Sequence, residues 1–431
     1  MNVLVIGGGG REHALVDAIS RDHGTKIFCA PGNAGISEQA ELVGIKSNDI
    51  SSLLSFADDK KIDFTVVGPE QPLESGIVDA FESRGKKIFG PSKLAARLET
   101  SKAFAKDFMK RWKIPTADSK TFSENDEVGL IKYLTNSNYP VVLKADGLAA
   151  GKGVSIVNSL DEAKNEVEKF FVKKIFGKSG EKIVIEKFMT GREASVFAIT
   201  DGKDYVVLPP AQDHKRIGDG DTGKNTGGMG SFAPTPFVGE SELRRITADV
   251  IERVLEGTRA EGFSFTGCLY CGMMLTPEGP KVVEFNVRFG DPETQAVLQL
   301  VDSSVLELLY SSAAKKIDSY NLHLNKNASV CIIASSKGYP DEYEVGKVII
   351  GLEKTRDNTK VFHSGSKIVD GKCVTSGGRV LGITGMDRKG KILTAAEIAY
   401  ERLNQVSFDG IYFRHDIARS AMEFEKTKHV D

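Results

Sequence analysis

At 431 residues the chain is too long for one hydrophobic core, and at about 150 residues per domain it should divide into two to four units. Its 57 lysines and arginines against 59 aspartates and glutamates leave a formal charge of -2, which excludes a global field for nucleic acid or a membrane and leaves anionic ligands to local clusters. Five scattered cysteines suggest neither a disulfide framework nor a zinc site, and no apolar run reaches the ~18 residues of a membrane span, so a soluble, cytoplasmic protein is expected.

In chain order, Val3–Ile6, Lys26–Ala30 and Asp63–Val67, with a fourth run at Lys87–Phe89, are short apolar segments separated by helix-length amphipathic ones. That pattern predicts a parallel α/β unit over residues 1–100. Gly7–Gly10 and Arg11 occupy the first strand-to-helix turn, where backbone N–H groups can cradle a phosphate. A dinucleotide site is not expected, because His13 replaces the third glycine and the second strand runs into Ala30-Pro31-Gly32-Asn33 with no ribose acid. Gly9, Gly10 and Arg11 are therefore either turn residues or contacts to the phosphate of a smaller ligand. Gly68-Pro69-Glu70 and Gly90-Pro91-Ser92 follow strand ends, where open α/β sheets bind ligands.

A helix is predicted from Lys102 to about Trp112, with Lys102 either a phosphate contact or a solvated charge. Tyr139–Asp146 reads as a strand holding Lys144 among aliphatics, followed by Gly147–Gly153 and a second strand, Val154–Val157. The spacing is too short for a Walker A loop and no helix follows, so the segment is a hairpin flap, its Lys152 near the tip, rather than a P-loop. Gly and Ala composition suits a mobile lid over phosphates. Ile183–Phe188 and Gly191–Phe197 are further strands whose junction can present backbone groups to a purine, with Glu186 and Glu193 as polar anchors.

Asp213–Arg216 packs four ionisable groups beside Gly218–Gly223, which is no EF-hand because Gly223 and Gly230 fall where ligands belong. Cys268-x-x-Cys271 lies in a strand-like run, where positions three apart face opposite ways. In the next strand, alternation turns Val283, Phe285 and Val287 to one face and Glu284, Asn286 and Arg288 to the other. Oxygen ligands at i and i+2 suit Mg²⁺, and the arginine suits a carboxylate or phosphate beside it. Gly290 ends this strand, with Asp291 as the expected helix N-cap, Pro292 at the first helical position and Glu293 in the first turn.

From 327 to 431, short strands are predicted at Ala328–Ala334, Lys347–Ile350, Lys360–His363, Lys372–Thr375 and Arg379–Thr384, with a helix at Leu393–Val406, as a separate small α+β unit. Gly377, Gly378 and Arg379 combine turn glycines with a cation able to grip a substrate phosphate. Arg414, in Gly410–Asp416, is expected to be structural.

Strand lysine, glycine flap, acidic hinge and the Glu-x-Asn pair together resemble the ATP-grasp superfamily. Gly7–His13, Asp213–Arg216, Asn225–Gly230 and especially Arg288-Phe-Gly-Asp-Pro-Glu-Thr-Gln295 resemble the glycinamide ribonucleotide synthetase family of purine biosynthesis, from residue 2 to about 416. Lys224, where that family's commonest pattern has proline, bears on loop stiffness only. The resemblance implies a Rossmann-like domain over 1–100, ATP-grasp domains over 101–326 with a flap subdomain at about 120–190, and a C-terminal α+β domain over 327–431. It implies Glu284 and Asn286 as ligands of Mg²⁺ (or Mn²⁺), Lys102 and Lys144 at the ATP phosphates, Lys152 in the ATP site, Glu186, Lys187 and Phe188 as the adenine hinge, and Glu193 at the ribose. Asp213 and Arg288 become candidates for glycine and, with Lys144, for the catalytic set. The implied reaction is ATP-dependent joining of glycine to 5-phosphoribosylamine through glycyl phosphate. Small-molecule partners and a monomer are expected; another ATP-grasp ligase or carboxylase, or a non-catalytic ATP-binding protein, is the alternative.

Overall fold

The computed structural model describes residues 1–149 and 153–428. The four apolar runs at the N-terminus form parallel strands at Asn2–Gly7, Lys26–Pro31, Phe64–Val67 and Ile88–Phe89, joined at one edge by Glu41–Leu42. Val3, Leu4, Val5 and Ile6 are fully buried, because helices cover both faces of the sheet. Across the sheet the strands run 41–42, 26–31, 2–7, 64–67, 88–89. The order reverses between 2–7 and 64–67, so the turns after those two strands, Gly7–Gly9 and Gly68–Pro69, open a crevice between them.

The helix Lys102–Arg111 starts on Ser101, whose hydroxyl accepts the Phe104 N–H at 3.1 Å. The flap region is an antiparallel sheet ordered 119–123, 182–187, 141–145, 154–157, with Lys144 opposite Val154. A strand does follow the glycine loop, as a hairpin requires. Phe122, Leu130, Leu143, Val157, Phe170 and Ile185 give this layer its own core.

A second antiparallel sheet orders Tyr205–Val207, Arg192–Thr200, Gly267–Thr276 and Gly279–Asn286. Cys268 and Cys271 lie in different cores on its two sides, as period-two alternation demands. The pairing register slips between Gly272, opposite Glu284, and Met273, opposite Val282. This β-bulge leaves Val283 without an opposing residue. Val282, rather than the expected Val283, therefore joins Phe285 and Val287 in the core.

The third sheet corrects the expected separateness of the tail. Ala328–Ser336, Arg379–Asp387 and Thr359–His363 are continued by Gly230–Ala233 and, at the edge, Gln212–Asp213, so segments either side of the Gly218–Gly223 loop belong to the tail's own sheet. Lys347–Ile350 is not a strand; it makes single bridges at Val348–Val374 and Ile350–Ser407. Ile392–Leu403 is the amphipathic helix and packs on the sheet through Ala395, Ala396 and Ala399. Arg414 is buried and structural: it pairs with Asp416 at 2.8 Å and Asp221 at 2.7 Å, fastening the Gly218–Gly223 loop to the end of the chain.

Candidate active site

The polar face of Gly279–Asn286 is the floor of the site. The Arg288 guanidinium reaches back to Asn286 Oδ1 at 3.4 Å, and Glu284 lies among Lys215, Lys144, Lys102 and Arg288. Burial alone would raise the Glu284 carboxyl, but those four cations outweigh it and hold it below the usual range, so it is ionised. One carboxylate and one amide oxygen, facing lysines, suit a Mg²⁺ carried in on phosphates better than a cage built wholly from protein. Accordingly, no group of three or more His, Cys, Asp or Glu arranged to hold a metal occurs among the described residues.

Three lysines stand over this floor. Lys102 donates to the Gly147 carbonyl at 3.4 Å at the base of the flap, and Asp146 ties that base to the helix start, accepting the Ala103 N–H at 2.8 Å and the Ser101 hydroxyl at 2.9 Å. Lys144 and Lys106 grip opposite oxygens of Glu186, each at 2.9 Å. Glu186 therefore does not reach out as a purine anchor; its carboxylate is buried between ammonium groups, and at the hinge Lys187 and Phe188 follow it toward the surface. Lys106 belongs to no motif, and its one signal in the sequence is that it sits one helical turn after Lys102 and so on the same face. Lys152 lies outside the described residues.

Beside the floor, Glu193, Ser195, Asp213, Lys215, Tyr270 and Gly272 meet in a closely packed polar cluster. Lys215 pairs with Glu193 at 2.7 Å, and Ser195 shares hydrogen bonds with Tyr270 at 2.9 Å and Glu293 at 3.1 Å. Burial first, then the charges of Glu293, Glu193 and Glu284, push the Asp213 carboxyl up to about 8 against the pull of Lys215. Lys215 belongs to the Asp213–Arg216 run, but Ser195 and Tyr270 carry no motif, and only the tertiary fold brings the three together. Arg288 is bracketed by Glu99 at 2.9 Å and Glu70 at 3.3 Å.

Next to Arg288 opens a cavity of about 780 Å³ at the reversal of the N-terminal sheet, lined by Gly7–Gly9, Arg11, Asn33, Pro69, Asp291, Ser364, Ser366, Lys367 and Ser376. Gly8 is required there, since a Cβ would stand 2.5 Å from the Gly32 carbonyl oxygen. Arg11 is fixed by Glu12 at 2.6 Å and by the Phe289 carbonyl at 3.2 Å. Of the expected phosphate contacts, Gly9 and Arg11 line the cavity, whereas Gly10 faces Gln295 and Ser364. Arg379 is turned away, donating to the carbonyls of Gly227 at 2.5 Å and Asp291 at 2.8 Å and pairing with the Asp291 carboxylate at 3.1 Å. Gly377 packs on Gly365 and Gly378 on Tyr339. The tail's cation in the cavity is Lys367, from the hairpin strand Ser366–Val369. Asp291 is not a helix cap either: the helix is Glu293–Val297, Pro292 precedes it, and the Asp291 carboxylate accepts from Gln295 at 2.7 Å.

A hairpin flap over lysines, facing an acidic strand that carries a Glu-x-Asn pair, defines an ATP-grasp enzyme. The same architecture appears in the biotin carboxylase domain of a Hydrogenobacter thermophilus 2-oxoglutarate carboxylase, at TM-score 0.73 and 16% identity over 96% of this chain and 91% of that one. The chain belongs to the phosphoribosylglycinamide synthetase family, whose N domain matches residues 1–99, ATP-grasp (A) domain 100–294 and C domain 329–420. It is 48% identical to a phosphoribosylamine–glycine ligase of Caldanaerobacter subterraneus over 97% of this chain and 99% of that protein. It also superimposes on the crystal structure of the phosphoribosylamine–glycine ligase of Thermotoga maritima, at TM-score 0.84 and 32% identity, covering 97% of this chain and all of that one.

Proposed function

We propose that this protein joins glycine to 5-phosphoribosylamine in purine biosynthesis, using ATP. A carboxylate is a poor electrophile, so the glycine carboxylate first takes the γ-phosphoryl group of ATP, giving glycyl phosphate and ADP. The amine of 5-phosphoribosylamine then attacks the acyl carbon, the carbon–oxygen bond to phosphate breaks, and glycinamide ribonucleotide and phosphate leave. Positioning and charge neutralisation suffice, and no covalent enzyme nucleophile is needed.

The observation that carries this reading is a shared wall: Arg11 and Asp291 line the large cavity, while Arg11 bonds the Phe289 carbonyl directly after the Glu284–Arg288 floor. An amine held in the cavity would thus lie beside an acyl group held on the floor. Glu284 and Asn286 would hold the metal, which when bound neutralises charge on the phosphates; we take it to be Mg²⁺, with Mn²⁺ the alternative. Lys102 and Lys144 would hold the phosphates, the backbone of Lys187 and Phe188 the adenine, and Glu193 the ribose. Asp213 would take the glycine ammonium and Arg288 its carboxylate. Gly9, Arg11 and Lys367 would hold the phosphoribosyl group.

We keep 1–100, 101–326 and 327–431 as working units and read the protein as a cytoplasmic monomer acting on small molecules; among the described residues no helix is long and apolar enough to cross a membrane. The test is ADP release with each substrate omitted in turn. Release that needs both glycine and 5-phosphoribosylamine is expected; release indifferent to either, or supported by bicarbonate instead, would overturn the reading.

A further inference from the structure

Lys106, Glu186 and Lys144 form a buried triad of two ammonium groups on one carboxylate, their side chains 5%, 3% and 5% exposed. One lysine neutralises the carboxylate. The second also faces Glu284, and two buried ammonium groups sharing the Glu186 carboxylate favour the arrival of a further anion.

The two lysines are anchored differently. Lys106 also donates to the Thr116 hydroxyl at 2.7 Å, and that hydroxyl donates to the Val282 carbonyl at 2.7 Å. Lys144 instead donates a hydrogen bond to the next carbonyl, Val283, at 3.2 Å, on the bulged residue directly before Glu284. Each lysine thus has two partners, but Lys106 ties Glu186 to the Thr116–Val282 link, while Lys144 stands on the strand that runs into the flap and faces Lys102 and Glu284. Burial lowers the Lys106 ammonium to about 8 against the pull of Glu186, so carboxylate and ammonium depend on each other.

We propose that Lys106 is a positioning residue for the nucleotide: it keeps the Glu186 carboxylate neutralised and in place, so that Lys144 can leave that carboxylate for a phosphate oxygen of ATP. The proposal rests on the reading of Lys144 as a phosphate contact. Without Lys106, Lys144 becomes the only partner of a buried carboxylate and is held back from the phosphates. Lys106 itself touches no part of the nucleotide.

The test uses the full-length protein and calorimetric binding of the ATP analogue AMP-PNP with Mg²⁺, alongside KM for ATP and thermal midpoints. Lys106→Met should weaken AMP-PNP binding by about tenfold or more, whereas the double variant Lys106→Met with Glu186→Gln should bind within about threefold of Glu186→Gln alone, because Lys144 is then free. A double variant as weak as Lys106→Met, or weaker, would overturn the proposal, since direct contact or simple packing predicts no rescue. If Lys106→Met fails to fold, Thr116→Val decides the matter: it keeps every charge and cuts only the far anchor. A several-fold loss of AMP-PNP affinity at an unchanged thermal midpoint supports the role, and unchanged affinity overturns it. Failure of the two-substrate ADP assay with AMP-PNP binding intact would instead strike at the reaction assigned above.

Discussion

Arg288 and Glu99 meet at 2.9 Å inside the protein, and the second oxygen of the same carboxylate accepts the Val287 backbone N–H at 2.8 Å. One acidic side chain thereby sets both the end of the strand that carries Glu284 and Asn286 and the direction of the guanidinium that follows it. A group held through such an outer contact loses precision when the contact is weakened, even though its own chemistry is intact. Glu99→Gln, which keeps the shape and removes the charge, should raise KM for glycine by about tenfold while leaving KM for ATP unchanged. Equal increases in both constants would show that Glu99 supports the whole site rather than Arg288.

Glu284 is the ionised oxygen donor of the floor, facing four cations. Removing a group that stabilises developing charge typically costs on the order of 10²-fold or more in kcat, and Glu284→Ala should do so with the fold retained. Near-normal turnover at saturating Mg²⁺, in a protein with an unchanged thermal midpoint, would remove Glu284 from the mechanism.

Asp213, pushed up to about 8, carries a proton in the free enzyme at neutral pH. A glycine ammonium binds the carboxylate form, so binding must release that proton. KM for glycine should therefore fall as pH rises toward 8, by up to about tenfold per pH unit, and level off above it. Steady-state kinetics from about pH 6 to pH 8 measures this, and Asp213→Asn should flatten the profile. A wild-type profile that is flat over that range would take the ammonium contact away from Asp213.

Arg414 is 1% exposed and serves both Asp416 and Asp221. Arg414→Ala would leave the largely buried Asp416 carboxylate without its cation and should cost about 3 kcal/mol of stability, read from urea midpoints. Burial would raise Asp416, but hydrogen bonds from Arg414 and the Gly220 N–H bring it down to about 2. A depressed carboxyl contributes stability that is present above its unfolded value and lost as pH falls through the folded one. Wild type should thus lose stability between about pH 4 and pH 2 in a step that Arg414→Ala largely lacks.

Period-two alternation was enough to put Glu284, Asn286 and Arg288 on one face, because pleat geometry is a property of neighbours in the chain. The same local rules located the parallel N-terminal strands, the hairpin at Lys144–Val154 and the opposed cysteines, and the Arg288–Gln295 run carried the family. What escaped was decided by partners distant in sequence. The bulge at Val283 depends on the strand opposite it, and Arg379 is drawn from the cavity by Asp291, 88 residues away. Lys106 finds Glu186 only once the flap sheet lies against the helix start. Side chains that serve a fold through one neighbour and a ligand through another show the same residue type in both roles. Only packing, by fixing which partners lie within hydrogen-bonding distance, gave Lys106 and Lys144 their shared carboxylate and their different second partners, Thr116 and the Val283 carbonyl.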